Sequence, residues 1–383
     1  MIKIVFFLER LAYKGAIGGA ERVLISMVNH MDPSIYDITV FTIYPEIEAE
    51  QFSPHVKYRT IFKKRTKIND YLYRFEAEYG LINILHINEK YDFECAYLES
   101  GPTKVIAHSR NNRSIKYAWV HCDLSVAFGT SFVKANKKWY KRYDRIICVS
   151  EKVKNSFENL FDIRHNTVVL HNVVDSNMII AKSSLPLPEH IKPGEFTIAC
   201  VGRLSSEKNP IRLLQVHKRL IDNGFMHTLW LVGDGELREE VRKEICKLNV
   251  SSSVQMLGFQ SNPYPFMRAA DILVSASIYE GFSTFVTEGL ILGRPIVTTD
   301  CSGMEELLGK NQYGLIVENS EDGLYDGLAE MIQNKELLQY YERKAIERGK
   351  RFLTQNMIRD VEKLFKTDFK EVKWAVKKQD GSH

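Results

Sequence analysis

Six cysteines occur in 383 residues (Cys95, Cys122, Cys148, Cys200, Cys246 and Cys301), and no two form a Cys-x-x-Cys pair. Several, Cys148 and Cys200 among them, fall inside apolar strand-like segments, where a thiol behaves as a small core residue. That usage excludes a disulfide scaffold and fits a reducing compartment. No apolar run approaches the roughly 20 residues that a membrane-crossing helix needs. The opening Met1–Leu8 has the apolar character of a signal peptide. Glu9 and Arg10 interrupt it and no small-residue cleavage site follows, so it reads as a first buried strand. Asp-x-Asp, His-Glu-x-x-His and clustered His/Cys sets are all missing, so no metal site is predicted. The loop from Ala12 to Gly19 does not carry the Gly-x-Gly-x-x-Gly spacing, which counts against a dinucleotide-binding oxidoreductase. Short-period repeats and low-complexity tracts are also absent. No nucleic-acid partner is expected.

What is present is an ordinary globular composition, 44% hydrophobic and 26% charged, with a net charge of +4. A chain of this length exceeds the usual span of one core, so two domains are expected. Strand-like and helix-like segments alternate from Ile2 onward. Strands are read at 2–8, 36–43, 93–98, 116–121, 144–150 and 168–172, and helices at 20–30, 71–88 and from 151. Such alternation predicts an α/β fold of parallel, doubly wound sheets. The Ser- and Pro-rich stretch 176–193 reads as a linker, with a first domain over 1–175 and a second alternation over 194–353.

Glu280 and Glu288 carry the strongest local signal. Asp271 to Ser277 reads as a buried strand, Thr287–Leu292 as a helix ending at Gly293, and Pro295–Asp300 as the next strand. Glu280 therefore sits at a strand's carboxyl end and Glu288 in the first turns of the following helix. In an open α/β sheet that edge is where ligands bind. The amides of Gly281, Phe282 and Ser283 lie at a helix N-terminus, suited to hydroxyls or an anion.

Glu280-x7-Glu288 resembles the signature of retaining GT-B glycosyltransferases, in particular glycosyltransferase family 4. Three further segments share the resemblance in the family's order: Gly18-Gly19-Ala20-Glu21-Arg22 after the first strand, Cys200 to Asn209, and Leu231-Val232-Gly233-Asp234-Gly235. The likeness covers nearly the whole chain. It implies two Rossmann-like domains facing a central cleft, with a C-terminal helix near 354–377 crossing back to the acceptor-side first domain. The second domain would bind the nucleotide sugar.

The same resemblance implies roles for these residues. Arg203 and Lys208 would contact the donor diphosphate, with Gly18 and Gly19 admitting backbone amides close to it. Glu280 would hold donor-sugar hydroxyls, and Glu288 the ribose diol. The base would lie against Gly233–Gly235 and the turn at Gly258 and Phe259. Fixed cations would replace a metal, so neither cofactor nor metal is expected. His121, at a strand end, reads either as a satisfied structural histidine or as the histidine that the family places against the donor sugar. Glu99 and Asp123 are acceptor-side candidates, Asp123 also as a residue orienting His121. The implied activity is retaining transfer from a nucleotide sugar, uridine diphosphate by default and guanosine diphosphate second, to a saccharide acceptor. A lipid-linked acceptor in surface polysaccharide or glycolipid assembly is favoured over a soluble one.

Positive charge gathers at Lys63–Lys67 and at Lys134–Arg142, the latter interleaved with Trp139 and Tyr140. Such stretches suit an anionic membrane surface, and equally a solvated helix face. The expectation is a cytoplasmic protein that docks peripherally at the inner face of the plasma membrane.

Overall fold

The computed structural model describes residues 1–11, 17–45 and 49–380; the expected loop residues 12–16 lie outside them. The chain divides into two compact units, Met1–Val173 joined by the chain from Gln355 onward, and Val174–Thr354.

In the first unit seven strands form one parallel sheet: β1 Ile2–Phe7, β2 Tyr36–Thr42, β3 Val56–Thr60, β4 Phe93–Ala96, β5 Ile115–Val120, β6 Arg145–Cys148 and β7 Thr167–Val169. Their order is β3-β2-β1-β4-β5-β6-β7. Ile4, Val5, Phe6 and Phe7 are all fully buried. A strand covered on both faces reads as such an unbroken apolar run. Helix α1, Gly19–His30, follows β1, and Gly18 is its N-cap.

The long C-terminal helix Thr354–Asp380 packs on this sheet. The Phe365 ring lies 4.8 Å from Phe93 and 5.1 Å from Tyr117, centroid to centroid. Asp368, buried beside them, accepts hydrogen bonds from Tyr117 Oη at 2.6 Å and from Arg145 Nε and Nη2 at 2.8 and 2.9 Å. A bidentate guanidinium–carboxylate pair of this kind fixes geometry as well as charge.

Two local expectations change. The helix read at 71–88 starts earlier, as α2 Lys67–Glu78, because Thr66 Oγ1 caps it by accepting from Asn69 N at 3.1 Å. It also stops earlier, because Gly80 takes φ +70°, a left-handed conformation that ends a helix; Ile82–Leu85 is a separate turn. The stretch 176–193 is not all connector. Ser176–Ser183 is a helix whose N-cap Asp175 accepts from Met178 N at 2.9 Å.

The second unit holds a six-stranded parallel sheet: β8 Thr197–Val201, β9 Thr228–Val232, β10 Val254–Gly258, β11 Ile272–Ser275, β12 Ile296–Thr299 and β13 Leu315–Val317. The order is β10-β9-β8-β11-β12-β13. Its core is aliphatic, built on Ile198, Leu229, Leu231, Ile272, Val274 and Val297. Within it His217 Nδ1 and His227 Nε2 lie 2.8 Å apart, and His227 Nδ1 meets the Phe225 carbonyl at 2.8 Å. A carbonyl only accepts, so His227 carries its proton on Nδ1 and receives the His217 Nδ1–H at Nε2.

Candidate functional site

Strand order in the second sheet reverses at β8: β9 and β10 extend one way, β11 to β13 the other. At such a reversal the loops leaving the two central strands diverge, and a crevice opens outside their carboxyl ends. Arg203 and Lys208 lie on the loop after β8, and Glu280 on the loop after β11. The two loops are tied together. Lys208 Nζ and Glu280 Oε1 form a close ion pair, Ser277 Oγ donates to the same carboxylate oxygen at 2.8 Å, and Ile278 N donates to Glu207 O at 2.8 Å. The Lys208 side chain is 30% exposed and that of Glu280 12%. Burial pulls the Lys208 pKa down, but the Glu280 charge and hydrogen bond outweigh it, and the net shift is upward. The ammonium therefore stays charged in a half-covered position. Arg203 is exposed and makes no ion pair among the described residues. Two cations, one of them already against a carboxylate, thus flank the switch point.

Glycines bring the neighbouring strand ends close. Gly233 has φ +147°, and a Cβ there would lie 1.8 Å from the Gly202 carbonyl oxygen; one at Gly235 would lie 2.3 Å from that of Leu204. Gly233 N donates to Gly258 O at 2.8 Å, so the ends of β8, β9 and β10 form one continuous floor. Phe259, just beyond, is exposed.

After Glu280 the chain turns into the helix Thr284–Ile291, which begins four residues after Glu280 because Ser283 Oγ caps it, accepting from Val286 N at 3.4 Å. Glu288 lies in its second turn and accepts from Tyr264 Oη at 3.4 Å. Phe282 is buried with its ring edge-on to Phe352, 6.3 Å between centroids, so only its backbone can meet a ligand. Gly281 approaches closely too: a Cβ on Gly303 would lie 2.9 Å from its carbonyl oxygen.

In the first unit the reversal falls at β1, between β2 and β4. Gly18 and Gly19 follow β1, Glu99 follows β4, and His121 follows β5. Glu99 Oε1 accepts from His121 N at 2.5 Å, and His121 Nε2 lies 2.7 Å from Tyr97 O. Nε2 therefore carries the proton, which leaves Nδ1 as the acceptor of the neutral ring. Asp123 does not orient His121. It caps the helix Leu124–Tyr140 instead, accepting from Ser125 N at 2.9 Å, Ser125 Oγ at 2.7 Å and Ser156 Oγ at 2.7 Å. Burial raises its pKa, yet these hydrogen bonds together outweigh that and the net shift is downward. A carboxylate so engaged is a structural cap.

One contributor escaped sequence reasoning. Asn319 Nδ2 donates to the carbonyls of Ser277 at 3.2 Å and Ile278 at 3.0 Å, pinning the Glu280 loop from beyond β13. Its place just after a strand's carboxyl end is the signal that could have found it.

The basic stretch Lys134–Arg142 lies largely on the helix Leu124–Tyr140, which is interrupted at Gly129 with φ +78°. Trp139 there is enclosed by cations, with Lys138 Nζ 4.5 Å and Arg142 Cζ 5.7 Å from its centroid, and Arg142 Nη1 donates to Ala107 O at 3.1 Å. No helix among the described residues is long and apolar enough to cross a membrane.

A family model described as Glycosyltransferase Family 4 matches residues 17–177, and one described as Glycosyl transferases group 1 matches residues 186–348. The chain belongs to glycosyltransferase family 4, with the paired Rossmann-like sheets of the GT-B fold. It is similar to the N-acetylgalactosamine-N,N'-diacetylbacillosaminyl-diphospho-undecaprenol 4-alpha-N-acetylgalactosaminyltransferase of Campylobacter jejuni, at 34% identity over 215 residues. That alignment spans 54% of this chain and 57% of the relative. It is also similar to the Escherichia coli UDP-Gal:alpha-D-GlcNAc-diphosphoundecaprenol alpha-1,3-galactosyltransferase, 24% identical over 67% of this chain and 71% of that one. Among solved structures, Anabaena HepE in complex with UDP and glucose superposes with a TM-score of 0.75 at 18% identity, covering 96% of this chain and all of that one.

Proposed function

We propose that this protein is a retaining, metal-independent glycosyltransferase that moves a sugar from a uridine-diphosphate donor to a saccharide carried on a lipid diphosphate. The observation that carries the reading is the pairing of Lys208 with Glu280 across the β8/β11 switch point. It sets a fixed cation and a hydroxyl acceptor within one residue's reach of each other, as a diphosphate bonded to a sugar requires. The names of the Campylobacter and Escherichia relatives, each of which contains a diphosphoundecaprenol-linked saccharide, support the acceptor class. The UDP in the Anabaena structure supports the nucleotide.

In this mechanism the bond from the anomeric carbon to the diphosphate oxygen breaks. A bond from the same carbon to the acceptor oxygen forms on the same face. The acceptor's proton passes to the departing phosphate oxygen. Arg203 and Lys208 offset the charge that develops on the diphosphate. Glu280 accepts hydrogen bonds from donor-sugar hydroxyls, with the amides of Gly281, Phe282 and Ser283 beside it. Glu288 takes the ribose diol, and Gly233, Gly258 and Phe259 border the base. Gly18 and Gly19 let α1 approach the diphosphate, and Nδ1 of His121 meets the donor sugar, with Glu99 toward the acceptor. The enzyme would work from the cytoplasm and rest peripherally on an anionic membrane through Lys63–Lys67 and Lys134–Arg142.

Glu280→Ala tests this directly. Sugar transfer to a polyprenyl-diphosphate-linked saccharide should fall by at least about 100-fold, while UDP affinity measured by calorimetry stays within about threefold. Near wild-type transfer by the variant would remove Glu280 from the donor site and overturn the assignment.

A further inference from the structure

Strand β11 changes character at its carboxyl end. Ile272, Leu273 and Val274 are fully buried and apolar, and the chain then continues Ser275-Ala276-Ser277 with both serines buried, Ser277 to 1% exposure. A hydroxyl taken out of water is costly unless it is hydrogen-bonded, a demand that an apolar residue at either place would not make. Two residues apart at the end of a strand, the two serines share a face. Their Oγ atoms lie 3.1 Å apart, and Ser277 Oγ lies 2.8 Å from Glu280 Oε1.

The direction of this chain is fixed by its last member. A carboxylate only accepts, so the one hydroxyl hydrogen of Ser277 goes to Glu280, and Ser277 Oγ accepts from Ser275 Oγ. Each bond in such a chain polarises the next, and the one that ends on a carboxylate is the strong one. Glu280 Oε1 also takes the Lys208 ammonium. Hydrogen bonds to a carboxyl oxygen prefer its plane, so two donors on Oε1 fix how the carboxylate is turned. Oε2 makes no hydrogen bond or ion pair among the described residues and is left to accept. The segment that bears Ser277 is itself held from behind. Ser277 O accepts from Thr299 Oγ1 at 2.6 Å and from Asn319 Nδ2 at 3.2 Å, and Asn319 Oδ1 accepts from Arg212 Nη1 at 2.5 Å.

We propose that Ser277, supported by Ser275, is a positioning residue for sugar transfer: its hydroxyl turns the Glu280 carboxylate so that Oε1 is occupied by Lys208 and Ser277, and Oε2 is presented to the hydroxyls of the donor sugar. The role rests on the reading of Glu280 given above. Lys208 alone would not achieve it, because an ammonium on a flexible four-carbon stem can follow the carboxylate through a range of rotations. Ser277 is a short side chain on backbone that Thr299 and Asn319 hold in place, so its hydroxyl defines one orientation. A sugar hydroxyl that met a rotated carboxylate would lose the alignment that transfer needs.

Calorimetry, turnover and thermal melting form the test, on Ser277→Ala, Ser277→Thr, Ser275→Ala, Glu280→Ala and the double variant Ser277→Ala/Glu280→Ala. The donor is whichever of UDP-glucose, UDP-galactose and their N-acetyl forms wild type turns over fastest, with a polyprenyl-diphosphate-linked saccharide as acceptor. Ser277→Ala should bind UDP within about threefold of wild type while kcat falls about 10- to 100-fold, the size of loss that a misaligned contact brings. Ser277→Thr keeps the hydroxyl and should recover to within about fivefold of wild type, and Ser275→Ala, which removes only the polarising end, should lose at most about fourfold. The melting shifts of Ser277→Ala and Glu280→Ala should fail to add by at least about 3 °C in the double variant. Unreduced turnover in Ser277→Ala overturns the proposal. So does a loss of UDP affinity equal to the loss of turnover, which would mean general damage to the unit, or a Ser277→Thr that melts like wild type yet is as slow as Ser277→Ala. Additive melting shifts would show that the two side chains do not interact, and overturn it too. Wild type that binds no UDP while those shifts stay coupled sinks the glycosyltransferase reading and the role with it, whereas bound UDP with unmoved turnover sinks the role alone.

Discussion

Replacing the glycines at the strand ends of the second unit by alanine should give a graded series, because each position combines two separable costs. An ordinary contact to a Cβ begins at 3.4 Å, whereas at Gly233 it would be 1.8 Å, and the atom met is a backbone oxygen. The ends of β8 and β9 would have to part by about 1.6 Å. That breaks the bond from Gly202 N to Val232 O at 3.0 Å. The donor and acceptor left unpaired there cost about 1–3 kcal/mol, and an L-residue at φ +147° adds on the order of 1–3 kcal/mol. Gly233→Ala should therefore lose about 2–6 kcal/mol, or roughly 4–24 °C in Tm for a unit of this size. Gly235→Ala, 2.3 Å from Leu204 O but without the positive φ, should lose about 2–3 kcal/mol. Gly258→Ala, with φ +66° and open space, should lose about 1 kcal/mol. Gly202→Ala, with neither cost, should be neutral or gain up to about 0.5 kcal/mol. Differential scanning calorimetry on the four variants reads the order. If Gly233→Ala melted within about 2 °C of Gly202→Ala, the close strand approach inferred at this site would be wrong.

Three other outcomes follow from particular contacts. Burial, reinforced by the neighbouring His227, pushes His217 down to about 3, and burial lowers His227 too. An unfolded histidine titrates near 6.5, so below that pH the unfolded chain takes up protons that the folded one refuses. Stability should be level above pH 6.5 and fall by about 2 kcal/mol at pH 5 from His217 alone. Urea titrations at several pH values should show that slope flattened in His217→Gln. Asp368→Asn, which removes the charge held by Arg145 and Tyr117, should cost about 3 kcal/mol in urea denaturation and leave UDP affinity unaltered. Arg203→Ala and Lys208→Ala should each weaken UDP binding by about tenfold in calorimetry. EDTA should leave turnover intact, and an activity lost in chelator and restored by magnesium or manganese would refute a metal-free donor site.

Four site segments were legible in the sequence because each is local: a buried apolar strand followed at once by glycine, cation or acid. Residues after Phe7, Val201, Val232 and Ser275 needed no distant partner to be recognised, since parallel strands buried on both faces leave a plain apolar signature. The pairing of Lys208 with Glu280, 72 residues apart, was decided only by the strand order that sets β8 beside β11. The same holds for Asn319 beneath the Glu280 loop and for Asp368 on Tyr117, 251 residues away. Asp123 shows the opposite case: a plausible ligand in sequence, it is consumed by a cap whose geometry local residue types only suggest. Helix α2 marks the boundary most clearly. Its periodicity announces an apolar stripe, but a stripe is the same pattern whether it faces core or solvent. Only the tertiary packing of Tyr73 and Ala77 against the domain turned Ile68, Leu72 and Phe75 outward, because a helix can bury just one face against one neighbour.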